Sequence, residues 1–276
     1  MDRLGNSSAF KAFLAALALR LGKPVGHCCA AHGIWLLSAE HLPFQIVFYT
    51  LHPYRSRIKS TPGMRSIHID EDQWLLQPEL LLNRLAALAG YAQRVYARDT
   101  VAARIDKQAA TAFLEDHHLQ VALSGKFRFG LFHNGEMVAA AVFSGGRRMR
   151  DKPEDYRSFE LLRFCHKQGV HVVGGFSKLI NAFRHVFNPG DIMTYADKDW
   201  TDGNSYQQVG FIKAGETAPQ LFWIDHHTFV RYHDRTLPAI VKDEAAAQRL
   251  DAGFIPVYNS GSIKMVRSFD VPKAAF

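Results

Sequence analysis

Apolar positions recur at helical spacing in several stretches of the chain. Over residues 8–22, Phe10, Phe13, Leu14, Leu17 and Leu21 share one face, and Gly22 follows as a stop signal. Pro78 suits a first helical position, and the run Leu80–Ala89 closed by Gly90 reads as a second helix. Asp106–His118 places Ala109, Ala110, Phe113 and Leu114 on one side. Phe176, Leu179, Ile180, Phe183 and Phe187 form the deepest stripe, with Ser177 as its expected N-cap and Asn188-Pro189-Gly190 as its end. Asp202–Val209 and Pro238–Leu250 predict two further helices.

Between the helices lie apolar runs of strand length: 33–37, 44–51, 66–69, 127–132, 137–143, 159–164, 170–173, 192–196 and 221–225. The run at 44–51 is continuous, which predicts a central strand. His133-Asn134-Gly135-Glu136 joins two of these runs and predicts a tight hairpin. Residues 254–258 and 262–266 flank Asn259-Ser260-Gly261 and predict a closing hairpin. Residues 91–100 read as a linker or joining strand. The whole predicts an α/β protein in two parts, 1–92 and 93–276.

A strand, the glycines Gly174-Gly175 and then a helix make a potential anion site. Backbone N–H groups and the positive end of the helix dipole would face a bound phosphate. Ser177 and Lys178 stand in the first turn. Asp197 closes the following strand, where open α/β sheets place ligands. It could act as a general base or cap the next turn.

This stretch resembles the core of the GNAT-like acyltransferases. It carries Tyr206-Gln207-Gln208-Val209-Gly210-Phe211, similar to that family's Tyr-x-x-x-Gly-Phe, but only Gly-Gly where the family has Arg/Gln-x-x-Gly-x-Gly. The resemblance implies a mixed sheet flanked by helices, with the hairpin at 127–143 as its second and third strands. It also implies acyl-CoA or another anionic donor at Gly174, Gly175, Ser177 and Lys178. Tyr206 would protonate the leaving thiolate.

Leu161-Leu162-Arg163-Phe164-Cys165, Gly174-Gly175-Phe176-Ser177-Lys178-Leu179 and Tyr195-Ala196-Asp197 followed by Trp200, Gly203 and Tyr206 also resemble a phage and mobile-element module. That module is associated with homing endonucleases and is similar to Mom-type DNA-modification proteins. The likeness implies a catalytic group of Asp197, Tyr206 and Tyr195 acting on nucleic acid. In such proteins a nuclease domain of the very-short-patch-repair type precedes the module, and Asp72-Gln73-Trp74 resembles one of its segments. The run at 46–50 has no carboxylate, and Glu40, Asp70, Glu71 and Asp72 lack the spacing for Mg²⁺. The first part is therefore expected to be a small, degenerate α/β nuclease-like domain that does not cleave.

Composition sharpens the partner class. The 276 residues carry a net charge of +7, which favours anionic partners. Arg55, Arg57 and Lys59 in one loop, and Arg147, Arg148 and Arg150 in another, are expected to meet phosphates together with Arg163. Three cysteines, two of them adjacent, predict a reducing, cytoplasmic setting rather than a disulfide framework. No apolar run is long enough to span a membrane. The histidine pairs 117–118 and 226–227 lack metal-ligand spacing. The adjacent Cys165 and His166 would point apart rather than form a nucleophile and base.

Overall fold

The computed structural model describes residues 7–59 and 63–269. It is a mixed α/β chain with two compact units. The first comprises Met1–Leu85, Asp197–Asp202 and Glu216–Ser262, and the second Ala86–Ala196, Gly203–Gly215 and Ile263–Phe276. The segments Asp197–Asp202 and Glu216–Ser262, assigned by the sequence to the second part, thus lie in the first unit.

In the first unit, α1 (Ser8–Leu21) begins at Ser7, whose hydroxyl accepts the Phe10 N–H, and ends at Gly22 with φ 64°. It is followed by β1 (Gly26–Ala31), β2 (Ile34–Ser38), β3 (Gln45–Tyr49) and β4 (Ser66–Asp70). These form one four-stranded sheet in chain order. The first two pairings are antiparallel and β3–β4 is parallel. β3 is central, as its unbroken apolar run requires. The α1 stripe packs here: Phe10 stacks on Trp35 at 4.2 Å, and Phe13 stacks on Phe48 at 5.0 Å. Next come α2 (Glu71–Leu76), which the pattern did not reveal, and α3 (Pro78–Leu88).

The second unit opens with β5 (Gln93–Tyr96), β6 (Val101–Arg104) and α4 (Lys107–His117), the last capped by the Asp106 carboxylate. The expected hairpin is present as β7 (Phe127–His133) and β8 (Glu136–Phe143), with Asn134 and Gly135 both at positive φ. Then follow β9 (Arg147–Arg148), β10 (Arg157–His166), β11 (Val170–Val173), α5 (Gly175–Phe187), β12 (Asp191–Asp197), α6 (Asn204–Gln207) and β13 (Ile212–Glu216).

The chain then returns to the first unit with β14 (Leu221–Asp225), β15 (Arg231–His233), α7 (Ala239–Lys242), α8 (Ala246–Asp251) and β16 (Phe254–Tyr258). The single helix expected over 238–250 is thus two short ones. β17 (Ser262–Ser268) re-enters the second unit.

An eight-stranded mixed sheet dominates the second unit, in the order β13-β17-β12-β10-β8-β7-β6 with β9 beside β10. The closing hairpin expected over 254–266 does not form. β16 pairs with β14, whereas β17 joins the large sheet between β13 and β12. A local turn signal at Asn259-Ser260-Gly261 cannot show that the two flanking strands belong to different sheets. The core lies under α5, whose Leu179, Ile180 and Phe183 are fully buried against Phe129, Phe143 and Phe159.

Candidate active site

In the second unit, β10 and β12 run parallel but share only three ladder rungs, Ser158–Glu160 against Asp191–Met193. Beyond them β10 carries a bulge, because its pairing to β8 jumps from Leu161 to Arg163 and leaves Leu162 as the extra residue. The buried Thr194 hydroxyl donates to the Leu161 carbonyl at 2.9 Å at the point of divergence. Past that bond, the facing edges of the two strands pair with one another at no further ladder rung. Each edge offers backbone donors and acceptors to an extended ligand.

The diverging half of β10 carries Phe164 and His166 on one side. Phe164 meets Phe176 at 4.8 Å, and His166 meets Phe164 at 5.0 Å and His171 at 5.1 Å. Burial lowers the His166 pKa to about 3, so the ring is neutral, and its buried Nε2 has no hydrogen-bond partner. Cys165 points the other way, into a cluster with Ala110, Leu114 and Val142. The adjacent pair is therefore not a nucleophile with its base.

The α5 helix begins one turn earlier than Ser177 implied. Its N-cap is Gly174, at φ 76°, with no side-chain cap and no acid in the first turn. Ser177 is the third helical residue instead of the cap, because only a glycine takes the left-handed conformation here without strain. Gly175 is required for a different reason: a Cβ there would stand 2.9 Å from Val172 Cβ and 3.2 Å from Leu131 Cδ1. The first turn of this 13-residue helix therefore has no side-chain cap on its N–H groups.

Lys178 does not stand free for a phosphate. Its ammonium donates to the carbonyl of Ala97 at 2.7 Å and to that of Thr100, tying the helix start to the β5–β6 connection. Tyr206, on α6, packs edge-on to Phe176 at 5.4 Å and near Phe211 at 6.0 Å. Tyr195 on β12 is 45% exposed. Tyr195, Tyr206 and the glycine turn all belong to the second unit.

Asp197 belongs to the first unit. Its carboxylate accepts the Asp199 N–H at 3.0 Å, as a turn cap does. Burial, reinforced by the Asp199 charge, raises its pKa. Asp199 enters a buried ionic cluster that no local motif announced. Arg57 reaches Asp70 (Nη2 to Oδ2, 2.8 Å) and Asp199 (Nη2 to Oδ2, 2.9 Å). Arg231 reaches Asp70 at 2.7 Å and grips Asp72 with two bonds of 2.8 and 3.0 Å. Asp70 is held well below the usual carboxylate range by Arg57 and Arg231, which outweigh its burial. The oxygens of Asp70 and Asp72 are thus occupied by guanidinium groups. Among the described residues, no group of three His, Cys, Asp or Glu side chains could hold a metal ion.

This cluster corrects the reading of Arg57, which is buried between carboxylates instead of meeting a phosphate. Arg55 is also engaged, donating to the Gly33 and Thr50 carbonyls. Lys59 is exposed.

In the second unit, Arg147, Arg148 and Arg150 are exposed, with Arg148 paired to Glu154 at 3.1 Å. Arg163 is half-buried at the bulge and donates to the Val121 carbonyl at 3.1 Å. Arg147 and Arg163 both act on Glu160, whose pKa is nevertheless raised by burial. The expected basic residues are therefore divided between the units.

The cysteines are free. Among the described residues, no helix is long and apolar enough to cross a membrane.

No protein-family model matches the chain. No curated protein matches it. Solved structures do. The ribosomal-protein-S18-alanine N-acetyltransferase from Escherichia coli aligns at 12% identity over 64% of this chain and 99% of its own, with a TM-score of 0.38. The NatC complex bound to Gag peptide and CoA aligns at 10% identity over 62% of this chain and 99% of its own, with a TM-score of 0.36. A GNAT family acetyltransferase from Elizabethkingia anophelis with acetyl-CoA bound aligns at 10% identity over 62% and 99%, with a TM-score of 0.33.

Proposed function

We propose that the second unit is a GNAT-like transferase that takes its acyl group from a coenzyme A thioester and passes it to an amine. The observation that carries this reading is the β10–β12 pair, joined over three rungs and then parted by the bulge at Leu162, with an uncapped helix N-terminus following β10 and β11. The strand order agrees with it: β12 lies between β10 and β17, and the chain reaches β12 through α5.

The residues fit such a donor. An extended pantetheine arm matches strand edges that lack a ladder partner, and a pyrophosphate matches the first-turn N–H groups of α5. Lys178 adds positive charge at that end of the helix although two of its three protons are committed. The donor supplies an activated carbonyl. The amine nitrogen bonds to that carbon, the carbon–sulfur bond breaks, and the sulfur leaves with the electron pair. Tyr206 is assigned to return a proton to it and is reprotonated from solvent, to which the amine gives up its own proton.

Thiol release from acetyl-CoA in the presence of a panel of amines tests this reading. The panel should hold peptides with free N-termini, polyamines and adenine-containing oligonucleotides. Turnover that depends on one amine class, and that falls at least tenfold in kcat for Tyr206→Phe with little change in KM, is the expected outcome. Thiol release that no amine accelerates would contradict it.

A further inference from the structure

β5 and β11 form a two-stranded parallel ladder that stands apart from the large sheet. In its register Arg94 lies opposite His171 and Tyr96 opposite Val173. Val95 and Val172 are buried in the core, so the period of two sends Arg94, Tyr96, His171 and Val173 to the outer face. All four are exposed, Tyr96 by 45%. The Arg98 guanidinium lies 4.9 Å from the centre of the Tyr96 ring. An exposed aromatic ring at the end of a strand thus has an arginine two residues before it and another two residues after it.

The same face borders the anion site. The ladder ends at Val173, where Gly174 turns into α5. A Cβ on Gly174 would lie 3.5 Å from that of Ala97, the residue between Tyr96 and Arg98. The acidic group nearby is Asp99, 3.8 Å from Arg98 Nε, and both members of that pair are more than half exposed. Such a pair holds weakly and leaves the arginine available to an anion.

We propose that the outer face of the β5–β11 ladder is a platform for single-stranded nucleic acid. Bases stack on the Tyr96–Arg98 pair, and phosphates meet Arg94 and Arg98. Charge complementarity favours a polyanion, in keeping with the net charge of +7. The ring favours a planar partner over an acidic peptide, and only an unpaired strand presents base faces to it. The proposal names an acceptor for the transferase reading and rests on that reading for its biological meaning, but its test does not.

The test is fluorescence anisotropy of a labelled 16-nucleotide mixed-sequence single strand, and of the same sequence as a duplex, with the full chain. The single strand should bind more tightly. Tyr96→Ala should weaken it by about tenfold, the scale of one stacked base, and Tyr96→Phe should not. Arg94→Ala with Arg98→Ala should lower the salt-dependence slope by roughly 1.4, about 0.7 for each phosphate contact on a single strand. Acetyl-CoA affinity should be unchanged in Tyr96→Ala.

A duplex bound as tightly as the single strand, or a Tyr96→Ala variant with wild-type oligonucleotide affinity, would overturn the proposal. So would a loss of acetyl-CoA affinity in that variant, which would give the face to the donor and leave the transferase reading standing. Platform binding as expected, with no amine-dependent thiol release, would support the platform and sink the transferase reading.

Discussion

The Thr194 hydroxyl donates to the Leu161 carbonyl across the point where β10 and β12 part. It satisfies a backbone acceptor that the bulge takes out of the ladder, in a place where an unpaired carbonyl is costly. Thr194→Val keeps the shape and removes the donor. It should lower stability by about 1–3 kcal/mol, read from the denaturant midpoint. An unchanged midpoint would mean that the carbonyl has a second donor and that the bond does not hold the split.

The two glycines at the start of α5 should fail differently. Gly174→Ala makes only an ordinary contact with Ala97 but takes a left-handed backbone, and should cost about 1–2 kcal/mol. Gly174→Asn should cost less, because asparagine tolerates that region. Gly175→Ala has an ordinary φ but drives a methyl into Val172 and Leu131, an overpacking cost of about 1–3 kcal/mol. Urea melts of the three variants check the order; an Asn variant no better than Ala at position 174 would contradict the account of that turn.

In the first unit, Arg231→Met should be among the most damaging single changes. It removes both guanidinium bonds to Asp72 and one to Asp70, leaving buried carboxylates short of compensation. The expected loss is about 3–5 kcal/mol in equilibrium unfolding. A loss below about 1 kcal/mol would show that water or rearrangement reaches the cluster.

How far the sequence reached depended on whether the deciding signal was local. The α1 stripe ending at Gly22, the Asn134-Gly135 hairpin and the α5 stripe were legible because periodicity and turn chemistry are short-range. β1 was missed because all six of its residues are exposed and show no buried alternation. The partner of β17 was misread because the insertion from Glu216 to Ser262 builds its own sheet in the other unit. Arg57 was assigned to a phosphate because one of its real partners, Asp199, lies 142 residues away in the sequence. The site was legible in part: the glycine turn was visible, but the Thr194–Leu161 bond and the commitment of Lys178 to Ala97, 81 residues back, are contacts in space.

Two histidines should make stability fall on mild acidification. His68 is buried with its Nδ1 against the Tyr49 hydroxyl at 2.8 Å, and burial lowers its pKa to about 4. His166 is lowered further, to about 3. An unfolded histidine titrates near 6.5, so below that pH the unfolded chain takes up protons that the folded chain refuses. The stabilising contribution is complete above about pH 6.5 and is lost as pH falls toward these folded values. Between about pH 6.5 and 5, where ordinary carboxylates stay ionised, the unfolding midpoint should decline, and His166→Phe should flatten the decline. An unchanged slope in that variant would contradict a buried neutral His166.

Calorimetric titration of acetyl-CoA into the wild-type chain and into Ser177→Glu tests the central claim most directly. A carboxylate in the first turn of α5 suits the helix dipole, so the variant should fold normally while repelling an anion bound there. The account predicts saturable one-to-one binding to the wild type and at least a tenfold loss in the variant. No binding to the wild type, or equal affinity in both proteins, would contradict a donor pyrophosphate at the Gly174 turn.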